Sequence, residues 1–340
     1  MADYTNILSK LQNAPPRKLN DHILIVDSMN TFIRSFSTLK AMNPQGHHIG
    51  GLVGFLRSLG YLVRTVDPTR VICVFDGKGS SINRKNIDPN YKAQRQHVRI
   101  TNWGMYDSKQ EEYESMSAQL ERLKDYLDYL PVQCLTMEKL EADDIIAHLA
   151  LEASKSGKKV TIVSSDKDFL QLIDGNINVY SPIKKTLFTV DNIQEELGVL
   201  PQNYNIVKAL LGDNSDNLSG VKGLGLKTVI KEFPEIVNTP GYTLQKIYDE
   251  CEKNIDGKSI FAKIIYDWER VKTNYQLMNL HEGVLDDKEI LHILSVLKEP
   301  TPALQSGAFL HMLDTDKIES ITKNTEGWLE NFRPLTVFKQ

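Results

Sequence analysis

The chain has 340 residues, is 41% hydrophobic and carries a formal charge of −4, enough for one large packed domain or two smaller ones, with nothing overall that advertises a polyanionic partner. Three distant cysteines, Cys73, Cys134 and Cys251, exclude a disulfide framework and a zinc spacing and suit a reducing compartment. No apolar run reaches membrane-spanning length.

Residues 1–20, "MADYTNILSKLQNAPPRKLN", lack the apolar core of a signal peptide and read as an N-terminal arm, so a soluble cytoplasmic chain without a membrane role is expected. "HILIVDS" is the first strand and ends at Asp27. The helical pattern "LVGFLRSLGYLVRTV" follows, and then "RVICVFDG", a strand ending at Asp76 with Cys73 as a buried thiol. Residues 78–115 are polar. Between Arg84 and Arg99 five Lys/Arg stand against Asp88, a local charge of +4, and "DSKQEEYES" then turns acidic. Met116, Leu120, Leu123, Leu127 and Leu130 next recur at helical spacing until Pro131. "LEADD" places Glu141, Asp143 and Asp144 at the start of a helix that continues through Ile145, Ile146, Leu149 and Ala153, with Gly157 as its C-cap. "KVTIVSSDKD" is a strand leading to Asp166 and Asp168, and "NINVYSPI" a fourth. Continuous Val/Ile runs mark strands buried on both faces of a parallel sheet. Beyond about residue 190 only helical patterns remain. The expected organisation is therefore an α/β domain over 21–190 with an insertion at 78–130, then a helical region over 191–340 that includes a glycine-rich hairpin near 205–235.

In an α/β sheet, ligands sit at the carboxyl ends of the strands, where these acids fall. Each motif alone has an ordinary reading: acids in a first helical turn answer the helix dipole, and strand-end aspartates make turns. Together, Asp27, Asp76, Glu141, Asp143, Asp144, Asp166, Asp168, Asp213 and Asp216 are nine carboxylates, seven of them expected at one sheet edge. Without cations they would repel, and several would take up protons. Hard divalent ions, Mg²⁺ or its substitute Mn²⁺, resolve this, and the number of acids calls for two of them. Two such ions ~3.5–4 Å apart clamp a phosphodiester. The basic segment would then hang over the site, with Lys92 and Arg95 on the scissile phosphate, Arg84 beside them and the Tyr91 ring stacked on a base.

"LLGDNSDNLSGVKGLGLKT", residues 210–228, imitates a nucleotide-binding loop. Its spacing is off by one, however, and it follows a helical pattern rather than a strand. A hairpin between helices fits better, with Gly220, Gly223 and Gly225 allowing tight geometry and Lys222 and Lys227 adding charge for a nucleic-acid backbone.

In order, "VDSMN", "FDGKG", "YKAQR", "LEADD", "SSDKDFLQL", "GDNSDN" and "GVKGLGLKT" resemble the motifs of the 5′-nuclease (flap endonuclease) superfamily. "YSPIKKTLFTVDNI", "NWGMYDSKQEEYES" and "NYQLMNLHEGVLDD" look most like its ribonuclease H branch in T-even-like bacteriophages. The resemblance implies a PIN-like α/β nuclease domain, a helical arch or clamp, and a helix–three-turn–helix motif gripping duplex DNA through K⁺. It implies removal of RNA primers and 5′ flaps in DNA replication, acting on flaps, duplex 5′ ends and RNA:DNA hybrids and leaving 5′-phosphate and 3′-OH. Asp27, Asp76, Glu141 and Asp143 would surround one ion, and Asp143, Asp166, Asp168 and Asp216 the other, with Asp144 and Asp213 supporting. A monomer working with a single-stranded DNA-binding protein and a sliding clamp is implied as well. The alternatives are a PIN-type ribonuclease acting on single-stranded RNA and a non-catalytic structure-specific DNA-binding module.

Overall fold

The structure is a computed structural model and describes residues 17–94, 102, 104–282 and 285–339. Its centre is a six-stranded sheet made of β1 (His22–Asp27), β2 (Arg70–Phe75), β3 (Gln133–Thr136), β4 (Lys159–Val163), β5 (Ile177–Ser181) and β6 (Thr186–Phe188), in the order β3-β2-β1-β4-β5-β6. The first five strands are parallel, and β6 returns antiparallel along β5. Ile25 of β1 lies between Ile72 and Ile162 of its neighbours, so the central strands are apolar on both faces. Two strands were not expected. "QCLT" in β3 alternates buried and exposed positions, and β6 is a three-residue edge strand, so neither presents an apolar run.

The helices up to β4 are α1 (Ser28–Thr38), α2 (Gly50–Val66), α3 (Ile82–Ile87), α4 (Lys109–Leu127) and α5 (Ala142–Lys155). After β6 come α6 (Ile193–Leu197), α7 (Tyr204–Leu211), α8 (Leu226–Glu232), α9 (Glu235–Asn238), α10 (Leu244–Lys253), α11 (Ser259–Tyr266), α12 (Trp268–Met278), α13 (Asp287–Ser295), α14 (Ser306–Thr315) and α15 (Thr325–Glu330). The strand-free expectation for this half meets one exception. The ribbon of β7 (Gly212–Asp213) and β8 (Leu218–Ser219) brackets "NSDN".

Successive strand residues face opposite sides, which gives two cores. Ile23, Ile25, Ile72 and Ile162 pack with α5 and with the chain from Ile193 to Val296. Leu24, Val26, Val71 and Cys73 pack with α1, α2 and α4 and with Phe309, Leu313, Trp328 and Phe332. The helix Lys109–Leu127 thus lends Leu123, Tyr126 and Leu127 to the second core. A Cβ on Gly60 would lie 2.0 Å from Trp328 Nε1, so α2 and α15 meet through this glycine.

Arg70, 1% exposed, ties the sheet to the later chain. It donates to Val296 O (3.0 Å) and Glu299 O (2.7 Å), and also bonds Asn20 and Gln133. Leu19 N donates to Lys339 O at 2.8 Å, and Arg17 lies over the Phe338 ring, so both ends of the described chain meet before β1. Among the described residues no helix is long and apolar enough to cross a membrane.

Candidate active site

Three adjacent strands deliver acids to one edge. Asp27 ends β1, Asp76 follows β2, and Asp166 and Asp168 follow β4. Glu141 caps α5, and Asp143 and Asp144 occupy its first turn, where the helix dipole favours negative charge. Asp76 Oδ1 accepts from Ala142 N at 3.0 Å and joins the helix to the strand end. Asp27 accepts from Ser164 Oγ (2.7 Å) and Asn30 N (3.1 Å), and Ser164 Oγ also receives Asp166 N at 3.0 Å.

Cationic side chains hold several of these acids. Arg84 donates both nitrogens to Asp144 (2.7 and 2.8 Å), one to Glu141 (2.8 Å), and its Nε to Leu277 O (2.9 Å). Lys92 Nζ lies 2.9 Å from Glu141, and Tyr91 OH donates to the same carboxylate at 3.2 Å. Lys208, on α7, bonds Asp168 and also Asp213 (2.7 Å). The ribbon brings Asp213 and Asp216 to the same place, because Lys92 N donates to Asp216 O at 2.9 Å. Asn217 reaches Asn90 O, and Gln94 reaches Asn217. The base of the basic segment and the "GDNSDN" loop are therefore one hydrogen-bonded unit.

The electrostatics divide the acids into two groups. Burial, then the Asp76 and Asp166 charges, raise Asp27 to about 7 despite its hydrogen bonds from Ser164 and Asn30. Burial also raises Asp168 to about 7, with Lys208 opposing and Asp166 adding to the rise. Asp143 is pushed well above the carboxylate range by burial and then by Asp166, Asp27 and Glu141. Against burial, Arg84 and Lys92 hold Glu141 below its usual value, and Lys208 and Ser215 hold Asp213 near 2. Lys92 and Lys208 are both raised, since the acids outweigh their burial. Among the described residues no three acids converge into a ready cation cage. Glu141, Asp144, Asp168 and Asp213 are instead engaged by Arg84, Lys92 and Lys208. A cavity of about 750 Å³ beside Met42–Ile49 and Thr315–Ile318 contains none of the nine.

Two DNA-contact expectations are corrected. Tyr91 is 2% exposed and packs with Leu218, Leu277 and Met278, so its ring has no face for a base. Arg84 is 6% exposed and spends its fork on Asp144 and Glu141, which makes it a positioning residue. Gly220 packs on the Leu211–Gly212 backbone, where a Cβ would meet the Leu211 carbonyl at 2.1 Å, and so serves chain packing. Lys222, Gly223 and Gly225 are exposed at the turn leading into α8 and Lys227 in its first turn, and Gly223 has φ +84°. Arg95 lies outside the described residues. Sequence reasoning missed Ser164, Asn30 and Lys208. Asn30 and Ser164 stand inside the motifs "VDSMN" and "SSDKDFLQL", and Lys208 left its own signal, a lysine inside the apolar helical run "YNIVKALLG".

A mostly parallel α/β sheet with acids gathered at the carboxyl ends of its central strands places this protein in the PIN-like class of α/β folds. More narrowly, residues 22–198 match the model of the 5′-3′ exonuclease N-terminal resolvase-like domain, and the chain belongs to that family. It is 31% identical over 236 residues to a 5′-3′ exonuclease of Buchnera aphidicola subsp. Schizaphis graminum, covering 68% of this chain and 74% of the relative. It is likewise 31% identical over 220 residues to a 5′-3′ exonuclease of Aquifex aeolicus, covering 64% of this chain and 71% of the relative. The fold matches the flap endonuclease of bacteriophage T5, whose crystal structure is a pseudo-enzyme–product complex with DNA and metal ions. That match has a TM-score of 0.64 at 19% identity and covers 82% of this chain and 100% of the phage chain.

Proposed function

We propose that the chain is a divalent-metal-dependent 5′-to-3′ nuclease that removes RNA primers and 5′ flaps. The observation that carries this reading is the set of Asp27, Asp143 and Asp168, all raised by burial on one edge. Such acids are costly to ionise without a cation, and their all-oxygen donor set suits Mg²⁺ or Mn²⁺. Asp27, Asp76, Glu141 and Asp143 would hold one ion. Asp143, Asp166, Asp168 and Asp216 would hold a second, with Asp144 and Asp213 behind them. When bound, the ions supply Lewis-acid stabilisation of the phosphodiester oxygens and a more acidic water.

The remaining work falls to the side chains of this chain. Ser164 and Asn30 orient Asp27, while Arg84 fixes Glu141 and Asp144. Lys208 keeps Asp168 and Asp213 together. Lys92, with Arg95 by resemblance, neutralises the phosphate as water adds to phosphorus and the P–O3′ bond breaks, leaving 5′-phosphate and 3′-hydroxyl. Lys222, Gly223, Gly225 and Lys227 face solvent at the start of α8, as a helix–three-turn–helix contact to duplex phosphates and K⁺ would require.

The test is cleavage of a 5′-labelled flap and of an RNA:DNA hybrid in Mg²⁺, by the parent and by Asp143→Asn. The parent should cut both and the variant neither. Undiminished cleavage by the variant, or a preference for unpaired RNA over any junction, would overturn the reading.

A further inference from the structure

Away from the acids, two adjoining cavities of about 350 and 340 Å³ share Arg57 and Tyr61. The first also contains Arg34, Tyr180 and Lys185, the second Arg64, and no Asp or Glu lines either one. Arg57 Nε is bonded to the Ile321 carbonyl. Among the described residues Arg34, Arg57, Arg64 and Lys185 form no ion pair. Arg34 is the most telling, because its Nε is buried without a hydrogen-bond partner. A half-buried, uncompensated guanidinium in an acid-free cavity is an anion site by charge and by unmet hydrogen bonding. Tyr61, 47% exposed, adds an aromatic face.

The position of these cavities indicates which anion they receive. Tyr180 pairs in register with Val163, three residues before Asp166 on the neighbouring strand. Lys185 lies just past β5, on the sheet edge that carries the acids. The first cavity thus reaches the carboxylate edge at Tyr180 and Lys185, and the second extends from it along α2 toward the amino ends of the strands, where Arg64 stands one turn before Asp67. Bases inside a duplex are already stacked and gain nothing from an exposed tyrosine. An unpaired strand offers both phosphates and base faces.

We infer that these cavities bind an unpaired nucleic-acid strand continuing from the carboxylate edge, its phosphates on Arg34, Arg64 and Lys185 and a base on Tyr61. The inference rests on the nuclease reading above and extends it to a second contact on the same substrate.

The experiment measures equilibrium binding by the full chain in EDTA, which prevents cleavage. It uses a duplex bearing an unpaired 5′ arm and the same duplex without it. The exposed pair Arg64→Glu and Lys185→Glu, combined, should weaken binding of the armed duplex about 10-fold and leave the blunt duplex within about 2-fold. The milder Arg64→Gln and Lys185→Gln pair should reduce the salt slope on the armed duplex by about 1.4, two phosphate contacts at ~0.7 each. Unchanged affinity for the armed duplex, an equal loss on the blunt duplex, or displacement of the arm by a free mononucleotide as readily as by a strand would overturn the inference. If the parent binds neither duplex, the nuclease reading falls as well. If the parent binds and the variants match it, only this inference falls.

Discussion

Arg84 is the residue on which the acidic edge is built, because one buried guanidinium satisfies Asp144 on both oxygens and Glu141 on one. Removing a partner from a buried charged network leaves uncompensated charge and costs about 3–5 kcal/mol. Arg84→Met should lower stability by about that amount in urea unfolding. Arg84→Lys should recover little of it, since an ammonium cannot reproduce the fork. The acids also set a pH response. Asp27 and Asp168 titrate near 7 in the fold against an ordinary value of 3.8, so folding takes up protons. Their support for the fold is complete below about pH 3.8 and is lost as the pH rises through about 7. The buried His48 and the half-buried His22 and His148, all lowered by burial, act oppositely and lose their contribution as the pH falls below about 6.5. In scanning calorimetry the cation-free protein should therefore melt lower at about pH 8 than at about pH 6. Mg²⁺ should restore roughly 5 °C or more at the higher pH, and Asp27→Asn should flatten the alkaline loss.

Individual elements show what the sequence makes legible and what it hides. β1, β2 and β4 are readable because they are apolar at nearly every position and each announces its acid at the carboxyl end, and β5 is readable from its Ile177, Val179 and Tyr180. β3 carries four residues of mixed burial after Pro131, and β6 three, so both depend on neighbours that a single sequence does not name. All seven acids expected at the edge fall there, because strand ends and a helix start are local features. The cationic partners are not local. Lys208 meets Asp168 only through the packing of α7, and Tyr91 and Arg84 are buried by the return of Leu277 and Met278 on α12. Their basic or aromatic identity invited a solvent-facing role, which tertiary packing withdrew. Gly60 is a similar hidden constraint, an unremarkable position in α2 until α15 is placed. Gly60→Ala would drive a methyl into Trp328, itself 5% exposed and packed on Phe309 and Phe332. It should cost about 1–3 kcal/mol, read as a lower thermal midpoint with the acid edge intact.

Over the whole molecule, the chain after residue 190 is shared between the two faces of the sheet. Residues 193–296 cover one face and 309–335 seal the other. Phe309, Leu313, Trp328 and Phe332 lie on the sealing side, each worth about 1.5–3 kcal/mol when buried. Their sum rivals the total stability of a typical fold, about 5–15 kcal/mol. A chain cut after residue 300 should lose its cooperative thermal transition and bind ANS, even though every acid of the edge remains. Arg70 tells the same story from the sheet side, since its buried fork holds carbonyls of the segment where the chain crosses from one face to the other.

The meeting of Leu19 with Lys339 bears on how the molecule can be handled. Both residues sit where β1 begins, and the acids gather where it ends, roughly 20 Å away for six extended residues. A bead, surface or fluorophore attached through Lys18 or Lys339, both exposed, would grip the molecule from behind, leaving the acidic edge turned toward solution.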